Sequence, residues 1–230
     1  MKRLFLFGMA LMLAFTASTQ NNVTRFLGIP VDGTKTAMIQ KLKAKGYTYN
    51  STLDYLQGEF NGRDVRIYVV TNNNKVWRIM VSDTYPTRNK ADIRIRFNTL
   101  CGQFSKNEKY IPANMLGEYE ISESEDISVQ MTLYNKRYEA AYYQVSEADK
   151  DTTGLQEWAL GKISKKYTEA EIKDMSEEET KQVTLSLLLE YINEKLSKKS
   201  VWFMITEQYG EYSITMYYDN ENNHSNGEDL

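Results

Sequence analysis

Between Phe26 and Ser82 the apolar residues pass from a helical spacing to the two-residue period of strands. Met38, Ile39 and Leu42 recur at helical intervals behind Asp32 and Thr34, either of which can cap a helix, and Gly46 can turn left-handed at its end. Leu56, Gly58 and Phe60 then alternate with polar neighbours up to Asn61-Gly62, a dipeptide suited to a two-residue hairpin turn. Val65, Ile67 and Val69 share one face of the next strand while Arg66 and Tyr68 take the other. Thr71 to Asn74 turn the chain into Val76 to Ser82. The pattern predicts a helix and a three-stranded antiparallel meander whose inward face is covered by the helices on either side.

Beyond Pro86, Ile93, Phe97, Leu100, Cys101 and Phe104 fall on one side of a helix, with Asp92, Arg94 and Arg96 on its solvated side. Residues 108–126 carry Pro112, Gly117 and the acidic run Glu118, Glu120, Glu123, Glu125 and Asp126, and read as a linker with at most one short strand. Ile127, Val129, Met131 and Leu133 alternate, and Asn135-Lys136 can turn them into Arg137 to Val145, so a second hairpin is predicted. Leu155, Ala159, Ile163 and Tyr167 mark a helix. Thr168 with Glu171, and Ser176 with Glu179, make capping boxes, the second opening a helix striped by Leu185, Leu188, Ile192 and Leu196. Val201 to Glu207 and Tyr212 to Tyr218 close a last hairpin around Tyr209-Gly210.

The predicted fold class is therefore α+β, antiparallel sheet with helices packed on one face. It comprises an αβββα lobe over 20–107, the linker 108–126, a ββααββ lobe over 127–219 and a polar tail over 220–230. Val76-Trp77 and Val201-Trp202 each open a strand after a lysine-bearing turn, which raises the question of two related lobes.

Charge and composition add a location and remove several chemistries. Met-Lys-Arg, the apolar run Leu4 to Phe15 and the small residues behind it have the layout of a secretory signal peptide over 1–19, with cleavage expected between Ser18 and Gln20. A periplasmic or secreted protein is expected, with no membrane span after signal cleavage. The net charge of −3 becomes more acidic once Lys2 and Arg3 leave, which argues against nucleic acid as a partner. Cys101 is the only cysteine, so no intramolecular disulfide can form, and it lies far from the cleavage point at which a lipid anchor would need one.

His224, the only histidine, lies in the tail, so a Ser-His-Asp or Cys-His arrangement has no well-placed base. No phosphate loop or zinc ligand set is present, and no cofactor or metal is expected. Asp219, Glu221 and Asn223 begin like a calcium loop, but His224 stands where such a loop needs glycine. The acidic run at 118–126 reads as a solvated loop, with a weakly held calcium ion as the other reading. The candidate binding residues are aromatic: Tyr142 with Tyr143 and Tyr217 with Tyr218 are adjacent on strands, so each pair gives one ring to each sheet face. On an open face they could stack on sugar rings or anchor a protein; under helices they would be core.

Gly28-Ile-Pro-Val-Asp-Gly-Thr-Lys35, Gly58-Glu-Phe-Asn-Gly62, Thr71-Asn-Asn-Asn-Lys-Val76, Tyr134-Asn-Lys-Arg-Tyr-Glu139, Ser200-Val-Trp-Phe-Met204, Met216-Tyr-Tyr-Asp-Asn220 and the closing Asn226-Gly-Glu-Asp-Leu230 resemble a group of uncharacterised exported proteins from Gram-negative anaerobes. The resemblance implies export and a shared fold, and assigns no activity, ligand or catalytic residue. The layout is also similar to two-lobed α+β proteins such as the beta-lactamase inhibitor proteins and the TATA-binding-type folds, a likeness of fold that transfers no site.

The function expected from these features is an exported, non-enzymatic binding module for a protein or a cell-envelope glycan. A carboxylate-based hydrolase acting on glycans is the rival, and a self-associating structural component of the envelope the third reading.

Overall fold

The computed structural model describes residues 23–114, 118–146 and 152–225, the side chains of 152–155 and 195 excepted. The expected signal peptide, Gly117, the Leu155 side chain and the closing residues 226–230 lie outside them.

The chain is α+β, and its main sheet is antiparallel and eight-stranded. A small hairpin, β1 (Arg25–Phe26) and β2 (Ile29–Pro30), precedes α1 (Lys35–Ala44), whose cap is Thr34 accepting from the Ala37 amide. Then come β3 (Thr48–Asn50), β4 (Tyr55–Phe60), β5 (Arg63–Asn72) and β6 (Lys75–Asp83). Helix α2 (Lys90–Ser105) begins at Asn89, whose side chain accepts from the Ala91 and Asp92 amides, and is followed by β7 (Tyr110–Pro112). Helix α3 (Ile127–Tyr134), β8 (Glu139–Gln144), the helices α4 (Thr152–Lys166), α5 (Glu169–Asp174) and α6 (Glu177–Leu196), and the strands β9 (Ser200–Gln208) and β10 (Glu211–Asp219) complete the order.

Across the sheet the strands run β3-β4-β5-β6-β10-β9-β8-β7. Leaving aside the helices inserted on either side of β8, each half is a helix followed by four strands that step from an outer edge to the centre, and the halves meet where β6 pairs with β10. The duplicated layout equates β6 with β10 and β5 with β9. Trp77 on β6 and Trp202 on β9 are therefore not equivalent positions, although their sequence contexts resemble each other. The segment read as a linker supplies the edge strand β7, and Asn98 of α2 stitches its far end, accepting from the Ile121 amide at 2.8 Å and donating to the Ile121 carbonyl at 2.9 Å.

The tight turns follow the sequence. Asn61-Gly62, Asn73-Asn74 and Tyr209-Gly210 have positive φ at both positions, as a two-residue hairpin with right-handed strand twist requires. Both capping boxes form as expected. Gly58 is needed because a Cβ there would lie 2.7 Å from the Tyr47 ring.

Besides the added short strands β1, β2 and β3, one element takes a different secondary structure from that read in the sequence. Residues 127–134 are helical rather than the first strand of a hairpin, so the expected ββααββ order is replaced by a helix, β8, three helices and the β9–β10 hairpin. Asp126 caps the helix by accepting from the Val129 amide, and Asn135, at φ 52, ends it in the left-handed conformation. Alternating apolar residues satisfy a helix when only every second pair needs burial: Ile127 and Met131, four apart, meet the core, while Val129 and Leu133 stay exposed.

The core lies on one side of the sheet. Met38, Ile39 and Leu42 of α1 and the predicted stripe Ile93, Phe97, Leu100, Cys101 and Phe104 of α2 pack against Ile67, Ile79, Met216, Phe203 and their neighbours. Helices α4 and α6 form an antiparallel arm between β8 and β9, joined by Trp158 against Tyr191 and by Lys162 with Glu190 and Glu194. Leu160, Leu185 and Leu189 remain exposed along it, and Ile192 and Leu196 are buried near its end. No described helix is long and apolar enough to cross a membrane.

Candidate functional site

Among the described residues the core cluster lies on one face of the sheet, and the second face contributes none of it. Buried and part-exposed residues alternate along the central strands, and Tyr68, Met80, Tyr143, Trp202, Met204 and Tyr217 point to the side opposite α1 and α2. They belong neither to the core cluster nor to the rings packed on its margin. This face is the candidate site.

Beside the Asn73-Asn74 turn, at one end of the central strands, the register between β5 and β6 shifts: Val70 faces Arg78 while Thr71 faces Val76, so Trp77 is an extra residue. Such a bulge re-aims side chains, and here Trp77 and Arg78 fall together between the buried Val76 and Ile79. The Arg78 guanidinium lies 4.2 Å from the Trp77 ring centre, 4.8 Å from that of Tyr217 and 5.5 Å from that of Trp202. Asp219, opposite Arg78 on β10, takes the guanidinium with both oxygens at 2.6 and 2.7 Å and accepts from the Trp202 indole at 2.9 Å. Trp202 and Tyr217, also directly opposite, stack at 4.0 Å and 17°.

The result is a closed electrostatic unit under aromatic cover. Asp219 is 2% exposed, yet among the described residues no enclosed side-chain polar atom lacks a hydrogen-bond partner. Burial pushes the Tyr217 hydroxyl up, Arg78 opposes that and Asp219 adds to it, so the phenol holds its proton. The segment after β10 seals one side. Asn220 donates to the Val31 carbonyl, Asn223 to Asp32 and the Val76 carbonyl, and His224 packs 4.5 Å from Trp77. The described part of the polar tail is thus fastened to the fold.

The four tyrosines singled out from the sequence divide between the faces. Tyr143 and Tyr217 stand on the open side. Tyr142 and Tyr218 are core: Tyr142 stacks 4.8 Å from Phe104 and donates to the Cys101 carbonyl, and Tyr218 packs 4.8 Å from Phe26. Sequence alternation required one ring per face; it could not say which face the helices would cover. Trp77, Arg78, Trp202 and Asp219 are not among the binding residues expected from the sequence, although counting outward from Tyr209-Gly210 places Trp202 opposite Tyr217.

The end of the acidic run is engaged in local structure. Glu125 takes Lys136 and the Tyr138 hydroxyl, and Asp126 takes Lys90 besides capping α3. Among the described residues, the carboxylates displaced in their proton affinity, Asp54, Glu125, Asp126, Glu171 and Glu179, are displaced downward by such bonds. A glycan-cleaving acid needs displacement the other way. Among the described residues no cluster of His, Cys, Asp and Glu could hold a metal ion. No family model, curated protein or solved structure matches the chain.

Proposed function

We propose that this chain is an exported binding module that docks a protein on the open face of its sheet. The observation that carries the reading is a sheet face turned away from α1 and α2 that holds, toward one end of its central strands, Trp77, Arg78, Trp202 and Tyr217, the residue types that concentrate binding energy at protein interfaces. Met80 and Met204 add adaptable apolar surface beside them. Export rests on the N-terminal sequence.

The same rings speak for a protein ahead of a glycan. A sugar stacks on an open ring face, and here Trp202 and Tyr217 cover each other while Trp77 carries Arg78 and His224. Self-association through strand edges is also disfavoured, because the outer strands β3 and β7 are three residues long and β7 ends in Pro112.

The test is retention from envelope extract on immobilised protein, comparing the wild type with Met80→Glu on the open face and Lys41→Glu on α1. A protease-sensitive species kept by the wild type and Lys41→Glu and lost by Met80→Glu supports the proposal. A protease-resistant glycan, or equal retention by all three, overturns it.

A further inference from the structure

The covered side of the sheet holds a second feature unrelated to the docking face. Where the two halves meet, the β1–β2 hairpin, Phe60 of β4, the α2–β7 connection, β8 and β10 line a partly open cavity of about 500 Å³. A neighbouring cavity of about 440 Å³ shares Leu27, Phe60, Tyr110 and Tyr218 with it. The first alone is of the size that takes a small organic molecule.

Its chemistry is one-sided. Tyr218 is 4% exposed, and its hydroxyl has no hydrogen-bond partner among the described residues. Since no enclosed side-chain polar atom among them goes unpartnered, that hydroxyl must open onto the cavities the residue lines. Gln144 bridges the Arg25 amide at 2.6 Å and the Arg25 carbonyl at 3.0 Å, and donates to the Tyr110 oxygen at 3.3 Å, which leaves Tyr110 a proton to give. Burial raises the affinity of both phenols for their protons, so both are donors at neutral pH. Arg25, Lys109 and Lys199 also line the cavity, and none of its described lining residues is a carboxylate.

The apolar wall is held at a cost. Leu27 sits at φ 52 in the turn it forms with Gly28, a left-handed conformation disfavoured for a side chain of its kind, and this turn sets Leu27 against both cavities.

We propose that the seam cavity binds a small amphipathic anion, whose carboxylate or phosphate oxygens accept from Tyr218 and Tyr110 while its apolar body lies on Leu27 and Phe60. Titration calorimetry of the purified protein with decanoate, decyl phosphate and decanol tests this. Saturable binding of one anion per chain is expected, with decanol weaker; the tighter of the two anions identifies the head group. Tyr218→Phe should weaken the anion about tenfold, the worth of one hydrogen bond to a charged group, and leave decanol unchanged. If that variant fails to fold, Tyr110→Phe, on a less buried ring, should show the same selective loss. Absence of saturable binding by either anion, decanol binding as tightly as decanoate, or a folded tyrosine variant that binds the anion like the wild type would overturn the proposal.

Discussion

Arg78 and Asp219 face each other across the one strand pairing that joins the two halves of the sheet, and the guanidinium grips both carboxylate oxygens at 2.6 and 2.7 Å. The pair sits beneath Trp77, Trp202 and Tyr217, so a contact that unites the halves also fixes the aromatic cluster of the open face. Removing Arg78 leaves a carboxylate that is 2% exposed with only the Trp202 indole to satisfy it. Because the arginine side chain is itself 23% exposed, Arg78→Ala should cost about 3 kcal/mol, the lower end for a broken buried pair. Adding Asp219→Asn should recover much of the loss in urea unfolding; equal losses in the single and double variants would show that the pair is not the cause.

Helix α3 depends on its caps. Asp126→Ala removes the side chain that accepts from the Val129 amide and should cost about 1 kcal/mol. Val129→Ala, at an exposed position of the helix, should cost nothing or stabilise slightly, whereas a strand over 127–134 would be weakened by loss of the β-branched side chain and be indifferent to the cap. Urea midpoints of the two variants decide between these.

Stability should fall at both ends of the pH range. Asp54 is held low by Lys35 and then Tyr49, Glu125 by Lys136 and then Tyr138, and Asp126 by Lys90 and then the Val129 amide. Below about pH 4 the unfolded chain, with ordinary values near 3.9 and 4.3, binds more protons than the folded one, so these contributions are lost as the pH falls through the depressed folded values. Tyr142 and Tyr218 are raised by burial, and Tyr138 by burial and then Glu125. Their contribution is whole below about pH 10 and fades above it, as the unfolded chain ionises first. Thermal melts from pH 3 to 11 check both limbs.

Cys101 reports on opening of the core. Burial pushes its thiol up to about 12, so the native protein should react with a thiol reagent at pH 8 only at the rate at which the α2 side of the core opens. Full reaction within the mixing time in the absence of denaturant would contradict the packing described.

The sequence exposed what local spacing controls. The α2 stripe, the three hairpin turns and both capping boxes are each decided within a few residues, and all form where the pattern places them. The short run Ile127 to Leu133 was ambiguous because alternation over seven residues also places Ile127 and Met131 on one helical face. β3 and β7, three residues each, are too short to show a period. The site was legible in part: the tyrosine pairs had to split between the faces, but Arg78 meets Asp219 only through the β6–β10 pairing, 141 residues apart in the chain, which no local signal announces.

The docking surface itself is open to direct measurement. A photo-reactive side chain placed at Tyr143 or Met204 on the open face, and at Lys41 on α1 as a control, can be illuminated in envelope extract and the adducts identified by mass spectrometry. The expected result is one protein cross-linked from both Tyr143 and Met204 and absent from Lys41. Adducts formed equally from all three positions, or from Lys41 alone, would contradict the assignment of this face as the place where a protein docks.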